Sequence, residues 1–168
     1  MDEAFLHLPE RVFTLLAAGL PAIDGPYLVQ LVSRALHIMA SIILVGGLFY
    51  IRSILSPAGV EACFADRRAV WARWVAVATL LLLVTGIYNF MAIKNQVEAA
   101  GEELPSTYHA LFGIKFLLGL LVMFLAAMLA GKTSLAEKFR GNMSKWLQVA
   151  WLAAMAIVVI GAMLRTFH

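Results

Sequence analysis

The sequence predicts an all-α integral membrane protein, a four-helix bundle preceded by a short interfacial helix. Three observations predict it. Of 168 residues, 62% are hydrophobic and only 14% charged, whereas a soluble domain is roughly half apolar and about a quarter charged. Mean hydropathy is +0.88, and one small core could not hide that much apolar surface from water. The apolar residues also gather into four runs, each long enough for a hydrocarbon core about 30 Å thick, which takes roughly 20 helical residues. Runs of continuous Leu, Val and Ala do not alternate as barrel strands would, so helices satisfy the backbone in lipid. Disorder, a secreted disulfide scaffold and nucleic-acid binding are excluded. Cys63 is the only cysteine and has nothing to pair with inside the chain.

Residues 1–30 read as an external interfacial segment. They open with acids and lack the basic n-region of a signal peptide. Phe5, Leu8, Val12, Leu15 and Leu16 recur at helical spacing beside Glu3, Glu10 and Arg11, which suits a helix lying in the interface. The run from Val12 to Ile23 is too short to span, and Pro21, Asp24, Gly25 and Pro26 interrupt it. Residues 31–168 form the membrane domain, with spans at about 31–51, 70–93, 110–129 and 147–164. Ser56-Pro57-Ala58-Gly59 breaks the chain after span one. Glu98 to Ser106, with Pro105, separates spans two and three, and Gly131-Lys132-Thr133-Ser134 ends span three.

Lys and Arg placement sets the expected orientation. The loop after span one and the start of span two carry Arg52, Arg67, Arg68 and Arg73, and the loop after span three carries Lys132, Lys138, Arg140 and Lys145. On the opposite side Arg11, Arg34, Lys94 and Arg165 are diluted by seven acids. Both basic loops are therefore expected to be cytoplasmic and both termini external, in a multi-pass protein of the inner (plasma) membrane. Trp71, Trp74, Trp146 and Trp151 then fall at the cytoplasmic boundary, and Tyr27, Tyr88 and Tyr108 near the external one. The overall basic balance, with a pI near 9.2, reflects this sorting and no nucleic-acid partner. The lipid bilayer is the partner.

The candidate site lies in the external half. His37 is about six residues into span one, roughly 9 Å below the boundary, and Lys115 stands at similar depth in span three. Ionisable groups inside a bilayer cost several kcal/mol unless paired or hydrated, so each marks a site. The competing readings are a Lys115 stem that snorkels to the headgroups and a His37 that only hydrogen-bonds a neighbouring helix. Arg34, His37 and Ser41 share one helix face, and Thr85 and Asn89 form a second polar stripe on span two. A neutral imidazole suits copper or haem iron. His109, at the boundary of span three, would join His37 in a metal site if spans one and three are neighbours. His7 and His168 lie near the termini, and the eight Met form no short copper motif and read as packing residues. No nucleophile elbow, HExxH, phosphate-binding Gly loop or intramembrane carboxylate is present, so nothing resembles a hydrolase or a carboxylate proton relay.

With these residues in place, the chain resembles the CopD-type copper resistance membrane domain across all four spans. Span one reads Leu36-His37-Ile38 followed by Val45-Gly46-Gly47-Leu48-Phe49, similar to the family's His and its Trp-x-Gly-Gly-Leu run, with Val45 near the aromatic position. Thr85-Gly86-Ile87-Tyr88-Asn89 is similar to the family's Thr-Gly with a following Asn. Thr107-Tyr108 and Lys115 match its entry to span three, where His109 stands at a usual Gly. The resemblance implies copper uptake or tolerance from the external side, copper as cofactor or cargo, and a periplasmic copper protein or other membrane subunits as partners. The related HemJ-type protoporphyrinogen oxidases also place a His in span one and a Lys in span three, with haem b bound. Their Trp four residues before that Lys is Leu111 here. A third reading is a non-catalytic subunit of a membrane complex, its polar residues joining helices.

Overall fold

The computed structural model describes residues 24–167. The interfacial helix expected near the N-terminus, with Phe5 to Leu16, and the histidines His7 and His168 lie outside the described residues. Among the described residues the regular structure is helix, with no strand. Five α-helices follow one another: α1 (Gly25–Ser53), α2 (Pro57–Ala99), α3 (Ser106–Ala130), α4 (Ser134–Gly141) and α5 (Met143–Leu164), closed by a 3₁₀ turn at Arg165–Phe167. Four of them contain stretches long and apolar enough to cross a membrane, namely Gly25–Ser53, Asp66–Ala99, Ser106–Ala130 and Met143–Leu164. By its contacts the chain divides between Val32 and Ser33 into two units. In the first, Asp24 caps the start of α1, its carboxylate accepting the Tyr27 N–H at 2.8 Å. Everything below concerns the second unit.

The helices start and stop where local chemistry satisfies their ends. Ser56 is the N-cap of α2, its hydroxyl accepting the Gly59 N–H at 3.1 Å, with Pro57 in the first turn. The connector after span one is therefore a three-residue break, and the segment expected as a loop, from Pro57 to Arg68, is helix continuous with span two. Thr133 caps α4 in the same way, accepting the Ala136 N–H. The Arg140 guanidinium reaches back to donate to the Gly131 carbonyl, one of the acceptors left open where α3 ends.

The buried stripe of each span is small and aliphatic. Ala40, Leu44, Leu48 and Ile51 recur along one face of α1, and Val75, Ala78 and Leu82 along α2. Val122, Leu125, Ala126 and Leu129 of α3 meet Leu147, Ala150, Ala153 and Ala154 of α5 in the most extensive helix pair. Alanine at these contacts lets the backbones approach closely, which matters in lipid because burial alone gives helices little reason to associate. The outward residues are large and apolar, with Ile42, Leu80 and Leu117 each at least 64% exposed. Such a surface needs hydrocarbon around it, so the chain is a multi-pass membrane protein in contact with lipid. Side chains tie α1 to its neighbours. His37 bonds Thr85 of α2, and Arg52 donates to Gln148 Oε1 of α5 at 3.2 Å.

Candidate functional site

Two polar side chains of the apolar interior meet first. His37 Nδ1 lies 2.9 Å from Thr85 Oγ1. The Thr85 hydroxyl has one proton, and it is donated within α2 to the carbonyl of Leu81. Its oxygen must therefore accept from His37, so Nδ1 carries the proton in the neutral ring. Nε2 is then left with an open lone pair. Thr85 is only 5% exposed, which keeps water from replacing this bond. An interhelical hydrogen bond in a membrane is worth about 0.6 kcal/mol on average, up to about 1.7. That is too little to explain the bundle's stability and ample to choose a tautomer and a ring orientation.

Glycines make room for both ionisable groups. A Cβ on Gly86 would stand 3.3 Å from His37 Cε1, so the imidazole rests directly against the α2 backbone. A Cβ on Gly161 would stand 3.5 Å from Lys115 Nζ, which places the ammonium across the α3–α5 boundary. Lys115 also acts electrostatically on the imidazole, so the two groups expected at one depth do share one region. All four spans contribute: His37 from α1, Thr85 and Gly86 from α2, Lys115 from α3 and Gly161 from α5. The snorkelling alternative for Lys115 is weakened by its packing against Gly161 and its interaction with His37.

The remaining candidates divide. Asn89 lies one turn beyond Thr85, half-buried, and its Oδ1 is buried without a hydrogen-bond partner. An orphaned buried acceptor costs about 1–3 kcal/mol, so this amide is an available contact for a ligand in the region. Ser41 shares the His37 face, but its hydroxyl donates to the His37 backbone carbonyl at 2.8 Å and so serves α1 itself. Arg34 is exposed one turn before His37 and has no partner among the described residues. His109 is exposed at the start of α3, its ring edge-on to Phe90 and Tyr108. No described contact joins it to His37. Among the described residues no three His, Cys, Asp or Glu side chains come together.

Several contributors were not singled out by spacing. Gly161 sits in an otherwise bulky apolar run, and that interruption is the one signal that marks it. The Leu81 carbonyl, which takes the Thr85 proton, leaves no trace in a sequence because every residue has one. Phe90 stacks on Phe112 with centroids 4.1 Å apart, joining α2 to α3 on the same side as His109. Among known proteins, no family model, curated protein or solved structure matches this chain.

Proposed function

We propose that the chain is a membrane protein that handles copper through His37, in uptake or tolerance from the external side. The observation that carries this reading is the hydrogen-bond chain from His37 through Thr85 to the Leu81 carbonyl. Thr85 holds the Nδ1 proton, so Nε2 is the lone pair offered to a metal, and metal-binding histidines are oriented by such a partner on their other nitrogen. An imidazole with few companions suits copper(I) that must also leave again, because weak exchangeable ligands permit transfer. His109 or a nearby Met would assist His37 in passing the metal on. The resemblance to the CopD-type domain supports the choice of copper, and a periplasmic copper protein or another membrane subunit is the corresponding partner.

A second reading, haem b with His37 as axial ligand, is favoured by one observation. The Lys115 ammonium acts electrostatically on the imidazole, and no carboxylate lies within 31–51, 70–93, 110–129 or 147–164 to offset it. That charge repels a bare cation and suits an anionic group such as a haem propionate. The visible spectrum and metal content of protein purified in mild detergent separate the two. Near-stoichiometric copper in a colourless protein supports the first, and a Soret band lost in His37→Ala supports the second. A protein that has neither, and holds none after incubation with copper(I) or haemin, would contradict both and point to a non-catalytic membrane subunit.

A further inference from the structure

At the arginine-bearing end of the spans, away from His37, α1 and α2 enclose a half-open cavity of about 350 Å³. Its wall includes Gly47 and Tyr50 of α1 with Phe64, Arg67, Arg68 and Trp71 of α2. The Trp71 ring lies so close to Gly47 that any Cβ there would overlap it at 2.3 Å. The indole therefore forms a rigid apolar floor. Its Nε1 is buried and has no hydrogen-bond partner. Neither Arg67 nor Arg68 forms an ion pair or hydrogen bond among the described residues, although Asp66 and Glu61 are close in sequence. Both arginines stand at the beginning of the apolar stretch Asp66–Ala99.

We propose that this cavity binds one anionic phospholipid, with Arg67 and Arg68 on its phosphate and the start of an acyl chain against Phe64 and Trp71. Charge chooses the occupant. Two unpaired arginines on the lining of an otherwise apolar cavity match a group that is anionic at one end and apolar at the other, and basic pockets between membrane helices bind lipid headgroups. Arginine's planar fork suits phosphate bidentately. A role confined to setting topology would need the charges but not the cavity beside them. The proposal is independent of what His37 binds.

Native mass spectrometry of the full chain in mild detergent, titrated with dioleoyl-phosphatidylglycerol or dioleoyl-phosphatidylcholine, tests it. Wild type is expected to retain phosphatidylglycerol preferentially. Arg67→Gln/Arg68→Gln should weaken that binding about 30-fold, the combined effect of two basic residues at an anionic lipid surface. Arg73→Gln, whose arginine does not line the cavity, should keep the wild-type affinity. An unchanged affinity in the double variant, or an equal loss in Arg73→Gln, would overturn the site. Displacement of the lipid by millimolar inorganic phosphate would overturn the lipid as occupant and leave a free phosphate ligand in its place. A photoactivatable phosphatidylglycerol gives a readout on the unaltered protein. Crosslinks should fall within residues 47–51 and 64–71, and crosslinks confined elsewhere would contradict the proposal.

Discussion

Thr85 accepts the Nδ1 proton of His37 across 2.9 Å while giving its own proton to Leu81. This pair connects α1 to α2 and decides which nitrogen of the imidazole is open. Losing it should therefore disturb ligand binding more than folding. Thr85→Val is expected to lower copper(I) affinity 10- to 100-fold, the usual range for an outer partner of a ligating histidine. Stability should fall by only about 1 kcal/mol, near the value of a single interhelical hydrogen bond. Thr85→Ser keeps the hydroxyl and should restore affinity. Chelator-competition titrations with thermal melting in detergent check both.

The two site glycines should respond differently to one added methyl. At Gly86 the Cβ would press within 3.3 Å of His37 Cε1, so Gly86→Ala is expected to displace the ring and weaken copper binding severalfold. At Gly161 the nearest atom is the mobile tip of Lys115 at 3.5 Å. Gly161→Ala should then leave binding intact and raise stability by up to about 1 kcal/mol through helix propensity. Melting curves and titrations of the two variants, compared side by side, test this contrast.

Gly47 and Trp71 give a prediction about packing alone. Gly47→Ala would put a methyl 2.3 Å from the indole, an overlap that only movement of α1 or of the ring relieves. Overpacking of this kind typically costs about 1–3 kcal/mol. Trp71→Leu removes the clashing ring, so the double variant should recover part of the loss relative to Gly47→Ala. A double-mutant cycle on melting temperatures reads the coupling.

How far the sequence alone reaches is visible in these same residues. The span centres were legible because hydropathy acts over some twenty residues, and His37 and Lys115 stood out because ionisable groups are costly in lipid. Thr85 and Asn89 were legible as a polar stripe on one helix. The pairing of Thr85 with His37 was not, because it depends on how α1 and α2 rotate against each other, which packing of small residues such as Ala40 and Ala78 decides. At the other end, Pro57 reads as a break in the sequence, yet it is a favourable first-turn residue of a helix capped by Ser56. The arginines of the α2 entry were legible as charges that set orientation, while the cavity beside them arises from the three-dimensional fit of Trp71 on Gly47.

Lys115 distinguishes the two cofactor readings. Lys115→Met removes a positive charge near His37, so a copper(I) site should bind its cation more tightly in the variant. A haem site should lose affinity, because the anionic propionate loses its counter-charge. Parallel titrations of wild type and Lys115→Met with copper(I) and with haemin report which sign holds.

Nε2 of His37 as the metal ligand is put to the test by a copper(I) competition titration of wild type beside His37→Ala. One saturable copper is expected in wild type, with its loss in His37→Ala and its retention in His109→Ala. Equal copper binding by wild type and His37→Ala would contradict it.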